Sequence, residues 1–337
     1  MRVAVAILNW NGKELLQKFL PEVVRTSSPH TVAVIDNASE DGSVQWMKEH
    51  HPEVQLIENK ENLGFAGGYN EGLKSLDTDI IVLLNSDVEV TENWLDPLIE
   101  EFVSNEKVAA CQPKILDQLK KSHFEYAGAC GGFLDRYGYP YCRGRVFDTL
   151  EADSGQYDTP MDVHWASGAC LAIRKEIYES MGGLDEDLFA HMEEIDLCWR
   201  IRRHGLRVRV IPSSVVYHMG GATLSGHSPY KSYLNFRNNL IMILKNDRSG
   251  TTLWLIWVRM VMDALSFLRF IAQGRGKHAW AVLKAHRDFY GTLSKTLSKR
   301  RKLGRAHAAR SNFSAVWWYF GKKRERFDEL PHPHGTS

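Results

Sequence analysis

Ile80-Ile81-Val82-Leu83-Leu84-Asn85-Ser86-Asp87 is the stretch from which the fold can be read. A short uncharged apolar run bounded by polar residues reads as a buried strand of a parallel sheet. In open α/β sheets, ligands bind just beyond the carboxyl ends of the strands. Asp87 therefore stands where a metal or a phosphate would sit. A hard cation bridging a carboxylate and a diphosphate is a common way to hold a nucleotide there. The plainer alternative is that Asp87 caps a helix beginning near Glu92. Asp77-Thr78-Asp79 has a similar acid spacing but precedes the strand, at the wrong end of the sheet, and reads as a turn.

The preceding segments agree with this reading. Residues 3–8 form an apolar strand, and 13–25 a helix with its apolar face on Leu15, Leu16, Phe19 and Leu20. Residues 31–35 are a second strand ending in Asp36, 43–50 a helix and 54–57 a third strand. A Gly-rich turn leads to a helix over 69–75. Alternation of this kind predicts an α/β fold: a mostly parallel, Rossmann-like sheet with helices on both faces. Further on, 165–173 reads as a strand, 193–204 as a helix, 207–211 and 215–218 as two short strands and 230–245 as a helix. Residues 124–147 are rich in Gly, Tyr and Phe, and are either an irregular β segment or a substrate-facing loop.

The chain has 337 residues, 44% hydrophobic and 25% charged, which is ordinary for a globular protein with a large core. The net charge of +1 conceals an asymmetry, since Asp288 and Glu325 are the only carboxylates between Arg275 and Arg326. A basic segment of that kind suits an anionic surface. Residues 251–272 are long and apolar, but Arg259, Asp263 and Arg269 interrupt them and argue against a transmembrane helix. The following basic stretch carries Trp280, Phe289, Tyr290, Trp317, Trp318 and Phe320, the composition of an interfacial amphipathic helix. A solvated basic helix pair packed on the catalytic part is the alternative. The five cysteines are odd in number, widely spaced and free of CxxC pairs, which favours a reducing compartment over a disulfide or zinc framework. No signal peptide is visible.

Several clusters carry chemistry. Asp36-Asn37-Ala38-Ser39 follows the second strand, where an Asp can accept hydrogen bonds from a base or ribose. The same residues are also turn formers. Asn9-Trp10-Asn11-Gly12 follows the first strand and could hold a base; it lacks the GxGxxG of a dinucleotide dehydrogenase. Asn62-Leu63-Gly64-Phe65-Ala66 opens a helix whose N-terminus would favour an anion. Glu193, Glu194 and Asp196 stand at a helix start, where negative charge suits the dipole. They cannot all face one way, and a carboxylate turned into a cleft is a general-base candidate. His218 ends a strand, before Met219-Gly220-Gly221, and is either a ligand or a structural histidine.

In their order these segments resemble a family 2 glycosyltransferase of the GT-A type, in the rhamnosyltransferase-like branch. The likeness spans about residues 2–245 and also includes Gly168-Ala169-Cys170, Gly182-Gly183-Leu184-Asp185-Glu186, Glu193-Glu194-Ile195-Asp196 and Arg237-Asn238. It implies a catalytic domain over 1–245, with a nucleotide half to about 110 and an acceptor half beyond, then a basic helical extension over 246–337. It implies that Asp36 contacts the base, with Asn9, Asn11, Asn37, Asn62 and Gly64 around the nucleotide. Asn85 would lie near the ribose, Asp87 and His218 would hold Mg²⁺ or Mn²⁺, and Arg237 would steady the phosphates. Glu194 would be the base, with Glu193 as alternative and Asp196 beside them as a further catalytic carboxylate. Asn85 replaces the first acid of the usual DxD, and Glu194 is a methylene longer than the family's Asp.

The expected reaction is inverting transfer from a nucleotide-diphosphate sugar to a saccharide or lipid-linked acceptor, in bacterial surface-polysaccharide synthesis. The aromatics of 124–141 and Trp165 would stack on sugar faces. The expected place is cytoplasmic, peripheral on the inner membrane face, with no nucleic-acid partner. A nucleotidyltransferase would want a Gly/Lys/Arg-rich loop after the first strand, which is missing. A non-catalytic partner subunit would not need Asp36, Asp87, Glu194 and His218 together.

Overall fold

The computed structural model describes residues 1–220 and 228–333; Gly221, next to the His218 motif, lies outside them. Its centre is a sheet built on β1 (Val3–Asn9), β2 (Thr31–Asp36), β3 (Gln55–Glu58) and β4 (Ile80–Asn85). These four are parallel, in the order β3-β2-β1-β4. Their alternation sorts the core into two layers. Ala4, Ala6, Ile81 and Leu83 enter one apolar cluster, and Val3, Val5, Ile7, Ile80, Val82 and Leu84 the other. A strand buried on both faces needs no polar face, which is why these runs are uniformly apolar.

The helices between them are α1 (Lys13–Ser27), α2 (Ser43–His50) and α3 (Gly64–Gly72). α1 buries Leu16, Phe19, Leu20 and Val23, one helical stripe. α3 lies unusually near the sheet: a Cβ on Gly72 would stand 2.5 Å from the Ile35 side chain. After β4 the chain forms β5 (Val88–Val90), and α4 (Asp96–Ser104) starts later than the helix expected near Glu92. β5 pairs with a distant strand, and that pairing outweighs the local helical signal.

The second half extends the sheet with β6 (Val108–Asp117), then folds a small separate sheet. That sheet comprises β7 (Gly132–Leu134), β8 (Pro140–Cys142), β9 (Arg145–Val146) and β10 (Thr149–Leu150). β11 (Met161–Asp162), β12 (Cys170–Arg174), α5 (Lys175–Ser180), α6 (Glu193–Arg203) and β13 (Arg207–His218) follow. β12 runs antiparallel between β4 and β6, and β13 is parallel to β6. The two short strands expected over 207–218 are one strand with a register shift between Ile211 and Val215.

α7 (Pro229–Asn246), α8 (Thr252–Ala272) and α9 (Gly276–Lys302) complete the chain with a tail. No helix of the described residues is long and apolar enough to cross a membrane. α9 packs on the rest of the molecule through buried Ala281, Ala285 and Phe289, and charge adds to this: Lys295 and Lys299 pair with Asp187, and Lys299 also with Asp185. The tail roofs the small sheet, with Phe327 stacked on Phe133 at 5.3 Å and Phe313 against Tyr141 at 5.6 Å. The sugar-stacking role expected of this segment is therefore not supported for Phe124, Phe133, Tyr141 and Trp165, while Tyr126 is exposed. Phe124, Phe133, Tyr141 and Trp165 are buried in the core, and the Trp165 indole donates to the Phe133 carbonyl.

Candidate active site

The carboxyl ends of β1, β2 and β4 lie side by side, with Asn9 opposite Asp36 and Leu8 opposite Asn85. Asn9 Nδ2 donates to Asp36 Oδ2 at 2.9 Å, and the Ser39 N–H donates to Asp36 Oδ1 at 2.8 Å. Asn11 accepts from the Glu40 N–H, stitching the β1 and β2 loops together, while Trp10 stands exposed at their rim. Asn37 is buried in a complete amide network: it donates to Asn62 and the Gly64 carbonyl and accepts from Asn59 and the Leu63 N–H. The nucleotide contact expected of Asn37 is thereby corrected to a loop clamp.

The anion site expected at the start of α3 is closed. The Gly64 N–H donates to Asn62, and the N–H groups of Phe65 and Ala66 both donate to the Phe189 carbonyl. With its first donors satisfied, this helix end offers a phosphate little. Gly64 instead has a left-handed backbone, φ 72°, and the Phe189 ring lies 2.6 Å from where a Cβ would be. Phe189, His191 and Met192 also have positive φ, so the loop entering α6 is tightly constrained.

Beside Asn85 and Asp87 stands His218, at the end of β13. Its Nε2 is 3.1 Å from Asp87 Oδ1 and within 3.4 Å of Asn85 Nδ2, and its Nδ1 is 3.3 Å from Glu125 Oε1. Burial opposes a charged imidazole here, but hydrogen bonds and charge from Asp87 and Glu125 outweigh it and push His218 up to about 10. Glu125 was not anticipated. It lies in the aromatic segment with no motif around it, and only the long-range pairing of β5, β6 and β13 brings it to His218.

Asp87 and His218 suit a divalent cation as two of its ligands. In this structure the two face each other directly, Nε2 to Oδ1 at 3.1 Å. A carboxylate at Nδ1 is the usual outer partner of a ligating histidine, leaving Nε2 for the metal once it loses its proton. Among the described residues no group of three or more His, Cys, Asp and Glu side chains could hold an ion. A cation at this pair therefore needs oxygens from a bound ligand.

The other wall is the start of α6. Asn85 N–H donates to the Ala169 carbonyl, and a Cβ on neighbouring Gly168 would lie 3.7 Å from Glu194 Cβ. Glu194 thus stands one loop away from Asn85 and Asp87. It is half-buried with Oε2 unpartnered, and burial raises its carboxyl to about 7. Glu193 is only 4% exposed, and burial together with the Glu194 charge holds it well above the carboxylate range. Of the two, Glu194 has the greater solvent exposure.

Asp196 has none. It is fully buried and accepts from Arg200 Nε at 2.9 Å, Lys245 Nζ at 2.7 Å and Asn246 Nδ2 at 2.6 Å. The catalytic role expected of Asp196 is thus corrected to a structural one, joining α6 to α7. Arg237 is half-buried, donating to Asn238, the Tyr233 hydroxyl and the Asp187 carbonyl. A further bond to the Leu188 carbonyl leaves one N–H free to meet a phosphate.

A family model, "Glycosyl transferase family 2", matches residues 4–182. The chain belongs to that family. This family 2 glycosyltransferase is 25% identical over 251 residues to an N-acetylglucosaminyl-diphospho-decaprenol L-rhamnosyltransferase of Mycobacterium tuberculosis, covering 70% of this chain and 81% of the relative. It is 24% identical to the low-salt glycan biosynthesis hexosyltransferase Agl10 of Haloferax volcanii, covering 71% and 74%. Its fold matches S. aureus TarS 1–349 in complex with UDP-GlcNAc, with a TM-score of 0.57 at 14% identity over 90% of this chain and 86% of that one. It also matches the mannosyltransferase PcManGT of Pyrobaculum calidifontis in complex with GDP-Man and Mn²⁺, with a TM-score of 0.51 at 15% identity over 86% and 87%. The architecture is the GT-A fold with a helical C-terminal region.

Proposed function

We propose that this glycosyltransferase moves a sugar from a nucleoside diphosphate sugar, such as dTDP-rhamnose or a UDP-hexose, to a hydroxyl of a saccharide or lipid-linked saccharide, with inversion at the anomeric carbon. The observation that carries the proposal is the juxtaposition of Glu194 with the Asp87–His218 pair across Gly168-Ala169. Glu194, with its carboxyl near 7, takes the proton of the attacking hydroxyl at neutral pH. Asp36 and the Asn9–Asn11 loop hold the nucleoside, and Arg237 faces the phosphates. Asp87 and His218 would hold Mg²⁺ or Mn²⁺ on the donor's diphosphate. When bound, such an ion neutralises charge developing on the leaving group.

The relative named for a lipid-linked sugar supports an acceptor of that class, and an acceptor anchored in lipid would call for a peripheral place at the inner face of a cytoplasmic membrane. A thermal-shift screen of nucleotide sugars with Mg²⁺, Mn²⁺ or chelator tests the donor side, since a ligand that binds only the folded state raises the melting point. Release of nucleoside diphosphate with and without acceptor tests the reaction. No stabilisation by any nucleotide sugar in the presence of either cation would reject the proposal.

A further inference from the structure

α8 is built inside out. Trp254, Trp257, Val261, Leu265, Leu268 and Ile271 are exposed and follow one another at spacings of three or four residues, so they form one stripe along the helix. Trp257 is 56% exposed and Leu265 63%. The charged residues at the centre of the helix point the other way: Arg259 is 2% exposed and Asp263 is fully buried. Arg259 lies 3.5 Å over the Tyr139 ring and donates to the Tyr137 carbonyl, and Asp263 pairs with His286 at 3.1 Å. A helix facing water carries its charges outside. The apolar surface continues onto exposed Trp280 and Leu283 of α9. It also continues into a groove of about 780 Å³ lined by Val258, Met262, Trp317 and Phe320. An apolar patch of this extent marks a contact surface.

Charge decides what covers it. Lys284 and Arg287 pair with Asp288, but Arg269, Arg275 and Lys277 lie at and past the end of the stripe with no acidic residue among them. A second copy docked by the same face would set these cations against one another. Anionic lipid headgroups would meet them with opposite charge, and acyl chains would take the stripe. We infer that α8 lies flat in the interface of an anionic bilayer, its stripe from Trp254 to Ile271 buried among acyl chains, and that this face anchors the protein. The inference deepens, and rests on, the peripheral membrane partner proposed above. It also relocates the attachment from the basic stretch of α9, where Lys295 and Lys299 are held by Asp185 and Asp187.

The test is flotation of the full chain with vesicles of phosphatidylglycerol and phosphatidylcholine across a salt series. Wild type is expected to float with the anionic vesicles and to keep much of its binding at high salt. Leu265→Glu/Leu268→Glu should weaken partitioning about tenfold or more at every salt concentration. Arg269→Gln/Lys277→Gln should remove only a smaller, salt-sensitive part. Brominated acyl chains should quench the indoles at 254 and 257, and an unchanged melting curve shows that the variants fold. The inference falls if wild type stays in the aqueous fraction or if the glutamate variant floats like wild type. It falls equally if the glutamates only turn a dimer into a monomer. Sugar transfer to a soluble acceptor is scored separately: a chain that floats but transfers nothing loses the enzymatic reading alone.

Discussion

Replacing Glu194 by Gln should abolish transfer and stabilise the protein at the same time. The structure raises this carboxyl from its ordinary 4.5 to about 7, through burial. At about 1.4 kcal/mol per pH unit, holding it ionised costs about 3 kcal/mol of folding stability. The sign follows from linkage. Below pH 4.5 the group is protonated in both folded and unfolded chains, and the cost vanishes. It grows as pH rises from 4.5 towards 7 and stays constant above. The Gln variant, which never ionises, should therefore match wild type in stability at pH 4.5 and exceed it by up to about 3 kcal/mol at pH 8. Urea unfolding at the two pH values measures this. Removing a positioned base should lower kcat by about 10²–10⁴-fold. In wild type the ionised fraction, and with it a chemistry-limited rate, should climb about tenfold from pH 6 to 8 around a carboxyl near 7. Glu193→Gln should leave this profile in place, because burial and the Glu194 charge already keep Glu193 protonated. Near-normal turnover by Glu194→Gln would refute the base assignment, and equal stability of the two proteins at pH 8 would refute the burial argument.

Other outcomes follow from the same geometry. Asp87→Ala should cut transfer at least about 100-fold and abolish the cation-dependent melting shift with nucleotide sugar; it also takes a buried partner from His218, so the free protein should remain folded but melt below wild type. Asp196→Ala leaves Arg200 and Lys245 short of a buried partner and should cost about 3–5 kcal/mol in denaturant unfolding; a loss below about 1 kcal/mol would show the cluster to be dispensable. Gly64→Ala forces a side chain into left-handed backbone against the Phe189 ring, which should cost about 1–2 kcal/mol from the backbone alone, read as a lower melting point. Glu125→Gln should weaken cation-dependent nucleotide binding while the donor-free protein stays folded, measured by titration calorimetry.

The strands of the first half were legible because burial on both faces leaves a uniform apolar run. Asp87 and His218 drew notice by position: Asp87 lies just past the end of β4 and His218 ends β13. What escaped depended on pairings between distant segments. Nothing local says that β12 enters antiparallel between β4 and β6, or that Glu125 is delivered to His218. Asp196 shows the opposite failure. Its place in an acidic helix start was plain, but its partner Lys245 lies on another helix, and that contact makes it structural. The phosphate role of the α3 N-terminus was misread because the Phe189 carbonyl, far along the chain, takes its donors.

The pairs from Lys295 and Lys299 to Asp185 and Asp187 bear on how this protein can be cut and recombined. Those aspartates belong to the segment that leads through Phe189 to Glu194. A shortened chain ending after α7 would keep every motif of the transferase and lose the cations that steady that segment. Grafts of residues 1–246 onto another carrier should therefore bring α9 along, because the helix braces the segment that leads into α6.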